Sequence, residues 1–256
     1  MTGLQKTRQN FCNDFRVDFN KMKASWLHKN HCKNLIVFCN GWGMDGNPFK
    51  GLTSADHDVY MLYDYRQLTN PPDIEVIAGN YERINLISWS MGVWIGQKLF
   101  FDKQQFFQRT IAINGTLCPI HDKFGIPEKV FNATLAGYDE STRYKFYRRM
   151  CREKANFKLF LKRQPQRTIE EQGEELLALQ KMVDCLPVNE SIYNEVIISE
   201  YDWIVPSANQ FDFWQGRLVT PVSGFHFLFN LWQSWDHLLD YCDAFLKGTP
   251  QQGGLN

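Results

Sequence analysis

Five short runs, residues 33–39, 58–63, 84–88, 110–113 and 194–198, are β-rich and apolar on both faces rather than at alternate positions. A strand that is apolar on both sides must be covered on both sides, which is the condition of a parallel sheet sandwiched between helices. Helical stretches between the runs supply that cover, notably residues 92–101 and, near the end, 227–245 with its aromatic and leucine face. The alternation predicts an α/β fold with a mostly parallel central sheet and helices on both faces.

With 256 residues, 44% of them apolar, the chain can build one large domain with a substantial core. The interval from about 129 to 186 contains no strand candidate and reads as several helices inserted between two sheet strands, a lid over a site. The expected layout is an N-terminal extension over 1–23, with Met22 as an alternative start, a domain over 24–247, and a flexible tail over 248–256. No apolar run approaches the ~20 residues that span a bilayer, and the N-terminal stretch is polar and charged, so a soluble cytoplasmic protein is expected.

Lysine plus arginine equals aspartate plus glutamate, 28 each, which removes any average charge that would attract nucleic acid or an anionic membrane. Seven cysteines, an odd number without a CxxC pair, argue against a disulfide framework and against a zinc site. No H-x-x-x-H or paired His/carboxylate motif occurs, and neither metal nor cofactor is expected. Nothing in the sequence specifies an oligomeric state.

The run at 84–88 leads straight into Ser88-Trp89-Ser90-Met91-Gly92 and then a helical stretch. A nucleophile elbow, G-x-S-x-G, places its serine on such a strand-to-helix turn, where small neighbours permit a tight backbone. Here serine replaces the first glycine and the second is kept. A serine at this place is also an ordinary helix N-cap, so the motif by itself leaves both readings open.

Partners in the right chain order favour the nucleophile. The loop Asn40-Gly41-Trp42-Gly43 follows the first run, where the Trp42 N–H can join the Met91 N–H in facing a developing oxyanion, although a glycine-rich turn needs no ligand. Asp202, in a loop after the last apolar run, is the candidate acid, with Glu200 as its close competitor. Of the histidines at 28, 31, 57, 121, 226 and 237, two follow Asp202. His226 sits in a small-residue loop and His237 inside a helical stretch, and a loop above the sheet lets an imidazole reach both serine and acid better than a helix interior does. The order Ser90, Asp202, His226 is that of α/β-hydrolases.

Several longer strings are more specific. NLIVFCNGWGMD (34–45), INLISWSMGVW (84–94), INGTLCPI (113–120) followed by FGIP (124–127), FYRRM (146–150) and SEYDWIVP (199–206) together resemble the BioG-type pimeloyl-[acyl-carrier protein] methyl ester esterases, from about residue 25 to 246. The resemblance implies an α/β-hydrolase fold and hydrolysis of the methyl ester of pimeloyl-[acyl-carrier protein] to the free acid and methanol, for biotin synthesis. It carries Ser90, Asp202 and His226 over as a triad, and Trp42 and Met91 as oxyanion donors. Residues 1–21 fall outside the family pattern.

An acidic carrier protein needs a basic face to dock on. Residues 141–167 hold ten lysines and arginines against a single acidic residue, Glu153. If 143–154 is one helix, Lys145, Arg148, Arg149 and Arg152 share a face at i, i+3, i+4 and i+7, with Tyr144, Phe146, Tyr147 and Met150 free for pocket or core. These four cations are the candidate carrier-protein contacts. An ordinary solvated helix face has the same pattern, and Glu170, Glu171, Glu174 and Glu175 lie close enough in sequence to neutralise it. A general short-chain carboxylesterase or an acyl-carrier-protein thioesterase would use the same triad, and a catalytically silent hydrolase-fold module would keep the basic face without a reactive serine.

Overall fold

The computed structural model describes residues 22–69 and 71–246. Its sheet has seven strands: β1 (Lys23–His28), β2 (Asn34–Cys39), β3 (His57–Tyr63), β4 (Arg83–Trp89), β5 (Arg109–Ile113), β6 (Glu195–Ser199) and β7 (Val219–Val222). They lie in the order β1-β3-β2-β4-β5-β6-β7, all parallel except β1, which pairs antiparallel with β3 at the edge. The helices are α1 (Ile74–Ala78), α2 (Met91–Phe100), α3 (Glu128–Ala136), α4 (Glu140–Cys151), α5 (Lys154–Lys162), α6 (Ile169–Met182), α7 (Ser207–Phe213) and α8 (Trp235–Leu246).

The two-sided apolar strands produce two cores. Alternate side chains of a strand point to opposite faces, so Leu35, Val37 and Cys39 of β2 join α2 and α6 on one side of the sheet. Ile36 and Phe38 join Trp235, Leu238 and Leu239 of α8 on the other. The chain passes from β2 to β3 on one side and then from β3 back across to β4 on the other side of β2, so the C-terminal ends of β2 and β4 border a crevice where the strand order reverses, the place where open α/β sheets bind ligands.

Several boundaries differ from the sequence expectation. β1 begins at Lys23, so the last residue of the expected extension belongs to the sheet; residues 1–21 and 247–256 lie outside the described residues. The final helix starts at Trp235 rather than at 227; residues 227–234 run as turns and loop that bury Phe227, Leu228 and Phe229 in the core beside α8. The helix expected over 143–154 ends at Cys151: Arg152 takes a positive φ of 54° and α5 begins two residues on. Arg152 therefore leaves the face shared by Lys145, Arg148 and Arg149.

Cysteine spacing also misleads, since Cys118 and Cys185 form a disulfide. The helices α3 to α6 run out and back between them, and the Leu186 N–H donates to the Leu117 carbonyl at 2.9 Å, so residues far apart in sequence meet at the base of the insertion. No helix among the described residues is long and apolar enough to cross a membrane.

Candidate active site

The turn after β4 is strained in the manner the motif requires. Ser90 has φ 58° and ψ −126°, a region costly for any residue with a Cβ. Its N–H donates to the Ile113 carbonyl at 2.9 Å, which holds the turn against β5. Gly92 is packed so closely that a Cβ there would lie 2.2 Å from the Cys39 carbonyl oxygen. Gly115, in the INGT string, likewise leaves no room for a Cβ, which would meet the Ser90 carbonyl at 2.4 Å. Ser90 stands at the N-cap position of α2, but its side chain makes no cap hydrogen bond to the helix.

Its hydroxyl instead meets His226, whose Nε2 lies 2.9 Å from Ser90 Oγ and whose Nδ1 lies 2.7 Å from Asp202 Oδ2. All three residues are buried. Asp202 is oriented by its own loop, where Oδ1 accepts the Ile204 and Val205 N–H groups at 2.8 and 3.1 Å. Gln210 of α7 donates to Asp202 Oδ2 at 2.9 Å, and Asn114 donates to the His226 carbonyl at 2.9 Å. Trp89 Nε1 donates to that same carbonyl at 3.0 Å, so the histidine loop is held from two strands. Neither Gln210 nor Asn114 emerges as a support from the sequence, although INGT stands out as a string. The competitors are elsewhere: Glu200 is exposed, and His237 is an exposed residue of α8.

Trp42 and Met91 border the same cavity as Ser90 and His226. Met91 is the first residue of α2, where an N–H has no partner within the helix. The Trp42 N–H makes no hydrogen bond among the described residues. Asn40 shapes the loop, its Oδ1 accepting from the Gly41 N–H at 2.8 Å and its Nδ2 donating to the Asp45 carbonyl at 3.2 Å. The remaining walls are mostly apolar, including Met44, Ile126, Phe131, Phe146 and Leu176, and Arg149 reaches them from α4.

The insertion supplies polar supports as well as walls. Gln172 of α6 is bonded to the hydroxyls of Tyr138 and Tyr147. Burial pushes the Tyr147 hydroxyl up to about 12 and Tyr138 in the same direction, so both stay protonated. Burial also pushes the Glu175 carboxyl above its ordinary range, against the opposing pull of Arg167, with which it is paired.

Of the cations expected at a docking face, Lys145 and Arg149 line a groove between α3 and α4 that shares Val130, Thr134, Phe146 and Arg149 with the cavity, and Arg148 is exposed on α4. Arg152 stands apart, its guanidinium 3.9 Å from the centre of the Trp203 ring. The acidic run does not neutralise Lys145, Arg148 or Arg149. Glu171 pairs with Lys23 and Arg66, Glu174 with Arg66, and Glu175 with Arg167. Phe146 lines the cavity and Tyr147 and Met150 are core, whereas Tyr144 is exposed against Phe157. His121 closes a turn, its Nδ1 accepting the Lys123 and Phe124 N–H groups.

The profile of the pimeloyl-ACP methyl esterase BioG family matches residues 22–238. A malonyl-[acyl-carrier protein] O-methyltransferase of Bacteroides fragilis is 40% identical over 184 residues, 72% of this chain, and the chain spans 37% of that relative's length. The crystal structure of BioG from Haemophilus influenzae superposes with a TM-score of 0.74 at 31% identity, covering 84% of this chain and 98% of that one. An enol-lactonase from Burkholderia xenovorans, at 17% identity and a TM-score of 0.59 over 89% of this chain and 94% of its own, shares the fold. The chain belongs to the BioG family and has the α/β-hydrolase fold.

Proposed function

We propose that the protein is a serine esterase that removes the methyl group from a pimeloyl methyl ester carried on acyl carrier protein, with Ser90 as nucleophile, His226 as base and Asp202 as the residue that orients the base and stabilises its imidazolium form. The observation that carries the reading is the continuous contact from Asp202 through His226 to Ser90, at 2.7 and 2.9 Å, opening onto an apolar cavity. Ser90 Oγ attacks the ester carbonyl carbon as His226 Nε2 takes its proton. The Trp42 and Met91 N–H groups stabilise the oxyanion, and the proton held by His226 leaves with methoxide as methanol. Water, activated by the same imidazole, then releases the carboxylate.

Family membership supports the pimeloyl ester as substrate. The Bacteroides relative supports it from another direction, because a protein named for methylating a carrier-bound acid contains a stretch similar to this chain. In this reading α3 to α6 form the lid, and Lys145, Arg148 and Arg149 meet the acidic carrier protein. Arg152 is a more distant contact, beside Trp203. The enzyme then works beside its carrier protein, in the cytoplasm. The test is mass spectrometry of pimeloyl-acyl carrier protein methyl ester after exposure to the protein, with Ser90→Ala alongside. Loss of one methyl group with the thioester intact is the expected result. Cleavage of the thioester would identify a thioesterase, and an inert protein unlabelled by a fluorophosphonate would identify a silent binding module.

A further inference from the structure

Helix α6 belongs to the insertion by sequence and to the oxyanion loop by contact. The Gln172 side chain, fully buried, uses its whole amide: Nε2 donates to the Gly43 carbonyl at 2.6 Å and to the Tyr147 hydroxyl at 3.0 Å, while Oε1 accepts from the Tyr138 hydroxyl at 2.9 Å. The Gln172 carbonyl accepts the Trp42 indole N–H at 2.9 Å. One turn along, Glu175 Oε2 accepts the Gly43 N–H at 3.1 Å. Gly43 has φ 74°, and a Cβ there would stand 3.3 Å from Gln172 Nε2, so the approach needs a glycine.

Both polar groups of Gly43 and the Trp42 indole are thus held by α6, while the peptide before Trp42's own is held by Asn40 through the Gly41 N–H. The peptide that carries the Trp42 N–H lies between two held ones, and its own carbonyl, that of Gly41, accepts the Met44 N–H at 3.4 Å, from the same peptide whose Gly43 carbonyl Gln172 holds; its direction follows from these bonds. An oxyanion donor is effective only when it already points at the position the oxygen will occupy. We propose that Gln172 is a positioning residue that aims the Trp42 N–H, so that the insertion assembles the oxyanion site as well as covering it. This rests on the reading of Ser90 as nucleophile and Trp42 as donor. Gln172 itself touches no reacting atom.

The full chain is tested with Gln172→Glu, which preserves volume and removes both side-chain N–H donors, and with Tyr147→Phe, a milder change that removes one partner of the amide. Rates are measured on a short p-nitrophenyl ester, together with inhibition by an aryl trifluoromethyl ketone, which forms an oxyanion on the serine. Because the donor is misaimed rather than deleted, Gln172→Glu is expected to lower kcat by about 10- to 100-fold with KM within about threefold. Ketone inhibition should weaken by the same factor, with Ser90 still labelled to full stoichiometry by a fluorophosphonate. Tyr147→Phe should move kcat and ketone affinity together in the same direction by a smaller factor, and it decides the matter if Gln172→Glu does not fold. Unchanged kcat and ketone affinity in the folded variants, or a loss confined to KM, would overturn the proposal. Absence of both labelling and turnover in the unmodified protein is a separate result, which would overturn the nucleophile assignment and this one with it.

Discussion

Gly96 lies against Ser88: a Cβ at position 96 would stand 2.6 Å from Ser88 Oγ and 2.4 Å from the Tyr193 hydroxyl. The extra side chain at the first motif position is therefore accommodated by a missing one on α2. Gly96→Ala is expected to destabilise by about 1–3 kcal/mol through overpacking. Adding Ser88→Gly should recover part of that loss, because the Tyr193 hydroxyl, fixed by its bond to the Val93 carbonyl, still obstructs the methyl. Chemical denaturation of the two single variants and the double variant measures the coupling; strict additivity would show that the two positions do not share the space.

Ser90→Ala and Ser90→Gly should both lose methyl ester hydrolysis by at least about a thousandfold. They should differ in stability, since alanine keeps the Cβ that the backbone at φ 58° disfavours and glycine does not. The glycine variant is expected to be more stable than the alanine variant by about 1 kcal/mol. Thermal unfolding of the two proteins compares them directly, and equal midpoints would mean that the turn carries no strain.

The two late histidines should separate cleanly. His226→Ala removes the group bonded to both Ser90 and Asp202 and should reduce kcat/KM by about three orders of magnitude or more. His237→Ala alters an exposed position on α8 and should leave turnover within about twofold. A greater loss from the second change would move the base.

Reversing Lys145 and Arg148 to glutamate should raise KM for the carrier-protein ester while sparing a small soluble ester. It should also flatten the fall of kcat/KM with added salt, because exposed charges attract a partner through screened interactions. Equal loss on both substrates would mean damage to the fold rather than to docking.

Acid should loosen the junction between β3 and α6. Burial alone would raise the Asp64 carboxyl, but Arg66, Arg167 and Lys23 prevail and hold it below its ordinary range. The unfolded chain then binds the proton more readily than the folded one, so this stabilisation is present above about pH 4 and is lost as pH falls further. The unfolding midpoint should decline through that window. Asp64→Asn, less stable at neutral pH because the Arg66 and Arg167 guanidinium groups each lose one of their carboxylate partners, should show a shallower decline.

The sheet and the contact of Ser90, His226 and Asp202 are legible in the sequence for different reasons. Strands β2 to β6 declare themselves because burial on both faces demands continuous apolar runs, whereas β1, half-exposed at an edge, reads as KASWLH with no such demand. Ser90, Asp202 and His226 are found by order and loop context, which chain connectivity preserves. Gln172 is invisible because IEEQGEELLALQKM looks like a surface helix, and only the fold reveals that its polar side chains face a backbone in need of partners. Arg152 is misread because the residue that ends α4 is an arginine in a conformation usually signalled by glycine. The pairing of Cys118 with Cys185 is carried by topology and not by spacing.

The insertion leaves and re-enters the sheet at a single place, where Leu117 and Leu186 share a hydrogen bond beside the disulfide. In evolutionary terms it is a cassette: residues can be gained or lost within it without shifting β5 against β6, and so without moving Ser90 relative to Asp202. That freedom is unequal along its length. The exposed faces of α3, α4 and α5 can be redrawn to suit a new cargo, while α6, bound to Gly43 and Trp42, and the core residues Tyr147 and Met150 of α4 must stay as the sheet's own loops require.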